Sequence, residues 1–243
     1  MHDLTPDRYL ELLAHEVELT SALIERGPLD TQVPTCPDWD VAGLVRHTGG
    51  IHRWVTSLIG AAGEAVPFPK ESPDNAGLAA WFAEGAAALQ DALATAPLDQ
   101  PAMTFIGPKT TAFWVRRMAH ETAVHRWDGE NAVGPTAPID ALLSADGISE
   151  IFEVYLVRAG EGFFADTDER TFHIHCTDVD GEWMIHRNAD GCTVTYEHGK
   201  GTTAARGRAE DLLLFLWGRI DASTLEVFGD ESQLAEWQSL FGN

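Results

Sequence analysis

The sequence predicts an α+β fold, in which a domain of helices precedes a smaller domain of mixed strands and helices. Up to about residue 157, apolar residues recur at the spacing of about 3.6 that is typical of helices. After residue 160 they alternate with polar residues, which is the period of a strand with one buried face. A length of 243 residues is enough for two domains of ordinary size. We therefore expect domains at residues 1–160 and 161–243.

Helix caps and apolar stripes define the first two helices. Thr5 as N-cap and Pro6 at the first helical position begin a helix that runs to about Arg26. Asp40 is the N-cap of a second helix that extends to about Ile59. The apolar face of this second helix consists of Val41, Leu44, Val45, Ile51, Val55 and Leu58.

Three further helical patterns complete the first domain. The third helix is predicted at about Asn75–Ala94, where alanine is frequent, and the fourth at about Lys109–Asp128. Gly134 and Pro138 then interrupt the pattern before a fifth helix at about Ile139–Val157. Helices with one apolar face must pack that face against one another, so we expect a bundle.

The second domain begins with strands. The segments TFHIHCTD, EWMIHR and CTVTYEH each alternate polar and apolar residues, and the turn Asn188–Gly191 joins the last two as a hairpin. A helix at Ala209–Trp217, a short strand LEVFGD and a last helix at Glu231–Phe241 follow. This order predicts a small mixed α+β unit.

Charge and composition exclude several classes of protein. Lys and Arg number 16 against 38 Asp and Glu, and the formal charge of −22 has the wrong sign for nucleic acid or an anionic membrane surface. The three cysteines form no C-x-x-C pair. The N-terminus has no apolar signal region, and the run LLLFLW is too short to span a membrane. We expect a soluble cytoplasmic protein.

The segment RMAHETAVHRWD in the fourth helix resembles a metalloprotease motif, but its spacing differs. That motif requires two histidines four residues apart. His120 and His125 are five apart, which places them roughly 140° apart around a helix, too far to share an ion. Glu121 and His125 are four apart and lie on one face. The metalloprotease hypothesis is therefore rejected, and a carboxylate–imidazole pair remains.

Three residues of metal-ligand type fall within apolar stripes. Trp114, Met118, Glu121 and His125 share one face of the fourth helix, and His47 lies in the apolar stripe of the second. An unpaired carboxylate in an apolar core is unfavourable, so Glu121 needs a partner. Two histidines and a glutamate suit Zn²⁺ with an open fourth position, the arrangement of a catalytic site. Ni²⁺, Fe²⁺ and Mn²⁺ are also compatible with these ligand types.

Each of these residues also has a structural interpretation. Glu121 could pair with Arg117 one turn earlier, and His47 could be a core histidine bonded to backbone. Asp128 is either a turn residue or a hydrogen-bond partner of His125, and Cys36 is interpreted as a packing residue.

Six other histidines are interpreted as surface or hydrogen-bonding residues: His52, His120, His173, His175, His186 and His198. Positive charge for an anionic substrate could come from nearby arginines, or these could be surface residues: Arg46, Arg53, Arg116, Arg117 and Arg126.

Three segments together resemble the mycothiol-dependent maleylpyruvate isomerase family. CPDWDVAGLVRH is a Cys-Pro-x-Trp loop leading into the helix of His47, and HETAVHRWD contains an E-x-x-x-H pair. RAEDLLLFLWGR, followed by LEVFGD, is similar to the family's C-terminal domain. The similarity covers nearly the whole chain. It departs at Gly43, where related sequences commonly place an acidic residue, and this affects a helix cap rather than a ligand.

The resemblance implies a fold, a site and a cofactor. The N-terminal domain would be a DinB-like four-helix bundle, followed by a small mixed α+β domain. His47, Glu121 and His125 match the family's metal ligands, with zinc the expected ion. Arg219, which ends the LWGR motif, matches an arginine implicated in catalysis, so the active site would lie between the domains. The cofactor would be mycothiol, the low-molecular-weight thiol of actinobacteria.

Two functions follow from these observations. The leading hypothesis is a zinc-dependent enzyme that activates mycothiol for addition to, or transfer onto, a small electrophile, as an isomerase or an S-transferase. Metal coordination produces a thiolate at neutral pH from a group whose free pKa is about 8.5. The alternative is a non-catalytic protein that binds a small ligand and uses the metal to brace the bundle.

Overall fold

The computed structural model describes residues 4–156, 170–188 and 191–234 and has the predicted α+β fold. The chain divides into two compact units, one at Thr5–Pro138 and the other made of the residues from Ile139 onward together with the first four. The boundary expected at residues 160 and 161 lies outside the described residues. The division at Pro138 instead assigns the fifth helix to the second unit.

Four helices form the first unit: α1 (Pro6–Arg26), α2 (Val41–Gly60), α3 (Leu78–Thr95) and α4 (Thr111–Val133). The predicted caps are present, since Thr5 and Asp40 accept hydrogen bonds from the backbone amides of Arg8 and Gly43. α1 packs mainly on α4, and α2 mainly on α3. None of the described helices is both long and apolar enough to cross a membrane.

The region before α4 contains a hairpin that the helical pattern did not predict. β1 (Pro101–Thr104) pairs antiparallel with β2 (Gly107–Thr110), and α4 begins at Thr111. The predicted helix end near Asp128 was also too early, because α4 continues to Val133. The added turn begins with the buried residues Gly129 and Glu130, and Glu130 pairs there with Arg126, a contact that a cap pattern does not reveal.

A cluster of buried charges joins α1 to α4. Arg126 is 1% exposed and donates from Nε to Glu16 Oε2 at 2.6 Å and from Nη1 to Glu130 Oε2 at 3.0 Å. Burial opposes the charge of Arg126, but the two carboxylates raise its pKa above the ordinary value. The guanidinium also donates to the carbonyl of Ala137, so it fixes the chain where it leaves the bundle.

The second unit is built around a five-stranded sheet in the order β5-β4-β3-β6-β7. Its strands are β3 (Arg170–Cys176), β4 (Glu182–Asn188), β5 (Gly191–Thr195), β6 (Thr203–Gly207) and β7 (Glu226–Gly229). β3, β4 and β5 are the three predicted strands, and β7 matches LEVFGD. β6, which the pattern missed, pairs parallel with β3. The segment TAARG carries little apolar alternation, so its position beside β3 is what defines it.

Helices cover the second unit as well. α5 (Ala141–Glu150) continues as a π-helical segment to Leu156, and α6 (Ala209–Leu216) packs on α5. This packing explains why α5 belongs with the sheet rather than with the bundle. The predicted turn between β4 and β5 includes residues 189 and 190, and most of the predicted last helix comprises residues 235–241; both lie outside the described residues.

Replacing Arg126 by Met should destabilise the bundle by about 3–5 kcal/mol, because Glu16 and Glu130 would then be buried without their shared cation. Urea denaturation followed by far-UV circular dichroism measures this. Arg8→Met is the matched control, since Arg8 pairs with Glu11 on the exposed face of α1. We expect that control to unfold within about 0.5 kcal/mol of the wild type. Equal midpoints for the two variants would contradict the prediction.

Candidate metal centre

The structure brings His47, Glu121 and His125 together. His47 lies on α2 and the other two residues lie one turn apart on α4. Glu121 Oε1 is 3.3 Å from His47 Nε2 and 3.3 Å from His125 Nε2. The two imidazole rings meet edge to face, with centroids 5.1 Å apart and planes at 84°. One ligand atom from each residue lies within 4.8 Å of the others.

The donor set fits a divalent ion. Ligands held about 2.0–2.1 Å from a tetrahedral Zn²⁺ lie about 3.4 Å from one another, close to the 3.3 Å separations here. Side-chain exposure is 29% for His47, 16% for Glu121 and 12% for His125, so the donors are partly accessible. Three protein donors with solvent access leave one position for an exogenous ligand.

Glu121 is held in its charged form. Burial raises the pKa of this carboxyl, but His125, His47 and Arg117 together lower it well below its ordinary value. Arg117 is 3% exposed and donates from Nη2 to Glu121 Oε2 at 2.8 Å. The sequence offered an Arg117 pair and a ligand role as alternatives for Glu121. Both are compatible, because the two functions use different carboxylate oxygens.

Asp128 orients His125 through the ring nitrogen that faces away from Glu121. His125 Nδ1 lies 3.1 Å from Asp128 Oδ2, while Nε2 faces Glu121. Burial opposes a charge on His125, but Glu121, Asp128 and Cys36 raise the pKa of the imidazole well above its ordinary value. An ion bound at Nε2 takes the place of that proton. Asp128 is fully buried inside α4, so the alternative of a turn residue was wrong.

The loop of residues 33–39 contacts both Asp128 and His47. The Thr35 hydroxyl donates to Asp128 Oδ1 at 2.6 Å, and the indole of Trp39 stacks on His47 at 4.5 Å between ring centroids. The Val33 amide donates to the Trp39 carbonyl and closes the loop, and Cys36 forms backbone hydrogen bonds with both of these residues. Neither Thr35 nor Trp39 was predicted from the sequence to have a role in the site. The Cys-Pro-x-Trp pattern includes Trp39 and could have indicated it, whereas Thr35 lies just before that pattern.

Cys36 also reaches this cluster. Its Sγ lies 3.7 Å from Asp128 Oδ2, and Cys36, His125 and Asp128 form a second group of potential donors. The two groups share His125 but lie beside different nitrogens of its ring, since Nε2 faces Glu121 and Nδ1 faces Asp128. Because Asp128 and Thr35 are already bonded to each other, we assign this second group to support of His125.

The arginines near the proposed ligands have different surroundings. Arg46 donates to the carbonyl of Pro73, and the guanidinium of Arg53 lies 4.0 Å over the Trp81 ring. Arg126 belongs to the buried cluster with Glu16. Arg117 differs from these three because it donates to Glu121, a proposed ligand.

Two further histidines of the bundle, His52 and His120, lie outside the centre. His52 is fully buried, with Nε2 at 3.0 Å from the Thr122 hydroxyl, and burial lowers its pKa to about 4. His120 is 2% exposed and packs edge-on against Tyr9. His120 thus faces α1 while His125 faces α2, as their angular separation on the helix requires.

Arg219 lies in the second unit, just after α6. Gly218 adopts φ 70° and turns the chain there, a conformation that favours glycine. The Arg219 guanidinium donates from Nη1 to the carbonyl of Trp217 at 2.6 Å. Arg219 also borders a shallow cavity of about 490 Å³ with Asp221 and Ser223.

Comparisons with known proteins give consistent results for both units. Residues 8–129 match the model of the mycothiol maleylpyruvate isomerase N-terminal domain, and residues 142–236 match the MDMPI C-terminal domain. The solved structures of mycothiol-dependent maleylpyruvate isomerase and of a histidine-to-alanine variant of it are each similar, with a TM-score of 0.68 and 14% identity. Each alignment covers 93% of this chain and 94% of the other. No curated protein matches the sequence.

His125→Ala and Glu121→Gln should each abolish stoichiometric metal binding to the bundle, because the first removes an imidazole donor and the second replaces the anionic donor by a neutral amide. His120→Ala should retain the ion, since that ring lies on another face of α4. Elemental analysis of zinc-equilibrated protein measures the difference. A metal loss caused by His120→Ala and not by His125→Ala would contradict this assignment.

Asp128→Asn should weaken metal binding roughly 10- to 100-fold without unfolding the chain, because the amide no longer fixes the His125 tautomer as an anion does. Competition with a chromophoric chelator measures the affinity. Asp38→Asn, on the exposed part of the same loop, is the control and should bind as the wild type does. An unchanged affinity for Asp128→Asn would show that Asp128 is dispensable.

Proposed function

The chain belongs to the mycothiol maleylpyruvate isomerase family, and we propose that it is a metal-dependent enzyme that uses mycothiol to act on a small electrophile. The observation that carries this proposal is the set of His47, Glu121 and His125 at mutual donor distances on two helices of the bundle. Zinc is the proposed ion, since two histidines and one carboxylate suit it. Ni²⁺, Fe²⁺ and Mn²⁺ are also compatible with these ligand types.

The donor set determines the type of chemistry. A bound divalent ion supplies a Lewis acid that lowers the pKa of a coordinating thiol below its free value of about 8.5. Three protein donors favour this role over a structural one, because structural zinc sites usually have four. The low-molecular-weight thiol is therefore the proposed nucleophile.

Residues around the donors orient and shield the reaction. Arg117 and Asp128 hold Glu121 and His125 by hydrogen bonds, so both donors face the same point. Trp39 stacks on His47 and covers one side of its ring, which limits the access of water. Preorganisation of this kind lowers the cost of assembling the reactive geometry.

Two reaction types remain within the proposal. In an isomerase, the thiolate adds to one carbon of a cis double bond, the resulting single bond rotates, and the thiolate leaves as the trans double bond forms. The thiol is regenerated and is not consumed. In an S-transferase, the adduct accepts a proton on the other carbon and is released, so one thiol is consumed for each product.

Arg219 is the proposed catalytic residue of the second unit. A guanidinium suits a carboxylate because it presents two parallel donors in one plane. The chain has a formal charge of −22, so an anionic substrate requires a local cation of this kind. This assignment rests on the match of the LWGR motif to the family.

Purified protein incubated with mycothiol and a panel of electrophiles, maleylpyruvate included, should show turnover that is lost when a chelator removes the metal. Isomer formation and thiol consumption are measured together, because their ratio separates isomerase from S-transferase.

Arg219→Ala should reduce kcat/KM by about 100-fold or more, equivalent to about 2.7 kcal/mol, and Arg219→Lys should restore part of it.

Arg206→Ala is the matched control, because Arg206 on β6 forms an exposed ion pair with Glu226 on β7. This variant should retain full activity. Metal binding without turnover on any electrophile would favour the alternative, a non-catalytic binding protein. Turnover that survives metal removal would overturn the proposed mechanism while leaving the thiol dependence to be tested by omission of mycothiol.

A further inference from the structure

A second group of potential metal ligands lies on the sheet of the second unit. It consists of His173 and His175 on β3, Glu182 on β4 and His198 in the segment after β5. His173 and His175 are two residues apart and share one face of the strand. His175 is the register partner of Glu182 across the antiparallel pair, so these side chains lie on the same face.

Glu182 is the centre of this group. Its Oε1 lies 2.5 Å from His175 Nδ1, and its Oε2 lies 3.1 Å from His198 Nδ1 and 3.8 Å from His173 Nε2. One ligand atom from each of the four residues lies within 4.8 Å of the others. Donors around a tetrahedral Zn²⁺ are about 3.4 Å apart, so small side-chain movements suffice to enclose an ion.

His173 provides a separate indication of a ligand. The residue is only 6% exposed, and within the described part of the chain its Nε2 has no hydrogen-bond partner. A buried nitrogen without a partner is unfavourable and calls for an explanation, such as an ion.

An ion can reach this group from solvent. The His198 side chain is 80% exposed, and His175 is 31% exposed. His175 and Glu182 also line an acidic cavity of about 570 Å³ together with Asp178 and Asp180. Negative charge along such a cavity raises the local concentration of cations.

We propose that His173, His175, Glu182 and His198 bind a divalent transition-metal ion, with Zn²⁺ the best fit to three imidazoles and one carboxylate. Four protein donors complete a tetrahedral shell, so this is a structural site without an open position. The ion ties the β3–β4 hairpin to the segment that follows β5. This site shares no residue with the proposed enzymatic function, which involves the three bundle donors and Arg219.

Metal content of the full-length chain tests the proposal. Four proteins are compared: the wild type, His125→Ala, the paired variant His175→Ala/His198→Ala, and the triple variant that combines all three substitutions. Each is stripped of metal with a chelator, equilibrated with buffered low-micromolar Zn²⁺ and analysed for its zinc content by elemental analysis. The paired substitution should remove one equivalent of zinc from the wild type, and the same equivalent from the His125→Ala background. Both residues are partly exposed, so their replacement spares the core.

Co²⁺ supplies a second readout. In the His125→Ala background, added Co²⁺ should give the intense visible absorption of a tetrahedral complex, and His175→Ala/His198→Ala should remove that absorption. His186→Ala is the matched control, because His186 lies half-buried on β4 outside the group. It should retain the zinc equivalent and the Co²⁺ spectrum.

If His175→Ala/His198→Ala leaves both the zinc content and the Co²⁺ absorption unchanged, the proposal is wrong. The group would then be a hydrogen-bonded cluster. This result is distinguishable from failure of the bundle site. In that second case His125→Ala would change nothing, whereas the paired substitution would still remove one equivalent.

Discussion

The shared carboxylate of Glu121 is the constraint on which the bundle site depends. One oxygen faces two imidazoles and the other accepts from Arg117, so one carboxylate holds three charged or polar side chains. A buried carboxylate is unfavourable unless it is paired, and here the pairing comes partly from its own helix and partly from α2. The same interaction that stabilises the charge therefore positions the donors His47 and His125.

Support for this arrangement comes from a loop rather than from the helices alone. The loop before α2 supplies Thr35, which holds Asp128, and Trp39, which stacks on His47. Asp128 in turn fixes the ring of His125. Because the loop leads directly into α2, its position and that of His47 are coupled along the chain. The Cys-Pro-x-Trp segment is thus part of the candidate site, although it offers no proposed ligand.

The two histidine-rich groups differ in the number of donors, and this difference separates their proposed roles. The bundle group has two histidines and one carboxylate on rigid helices, an arrangement that leaves a position for a thiol. The sheet group has three histidines around Glu182, and these four donors would fill the tetrahedral shell of a bound ion. In both, a single glutamate lies between imidazoles, so each pairs a negative charge with the cation it would hold.

Local sequence determined the helix caps, the α+β order and the pairing of Glu121 with His125, because these depend on spacing within one element. Register and packing determined the rest. His47 reaches Glu121 across 74 positions only when α2 packs beside α4. His175 meets Glu182 only in the register of β3 with β4, which a polar-apolar pattern does not specify. Contacts between distant segments are set by tertiary packing, and a periodic pattern contains no information about which partner an element will face.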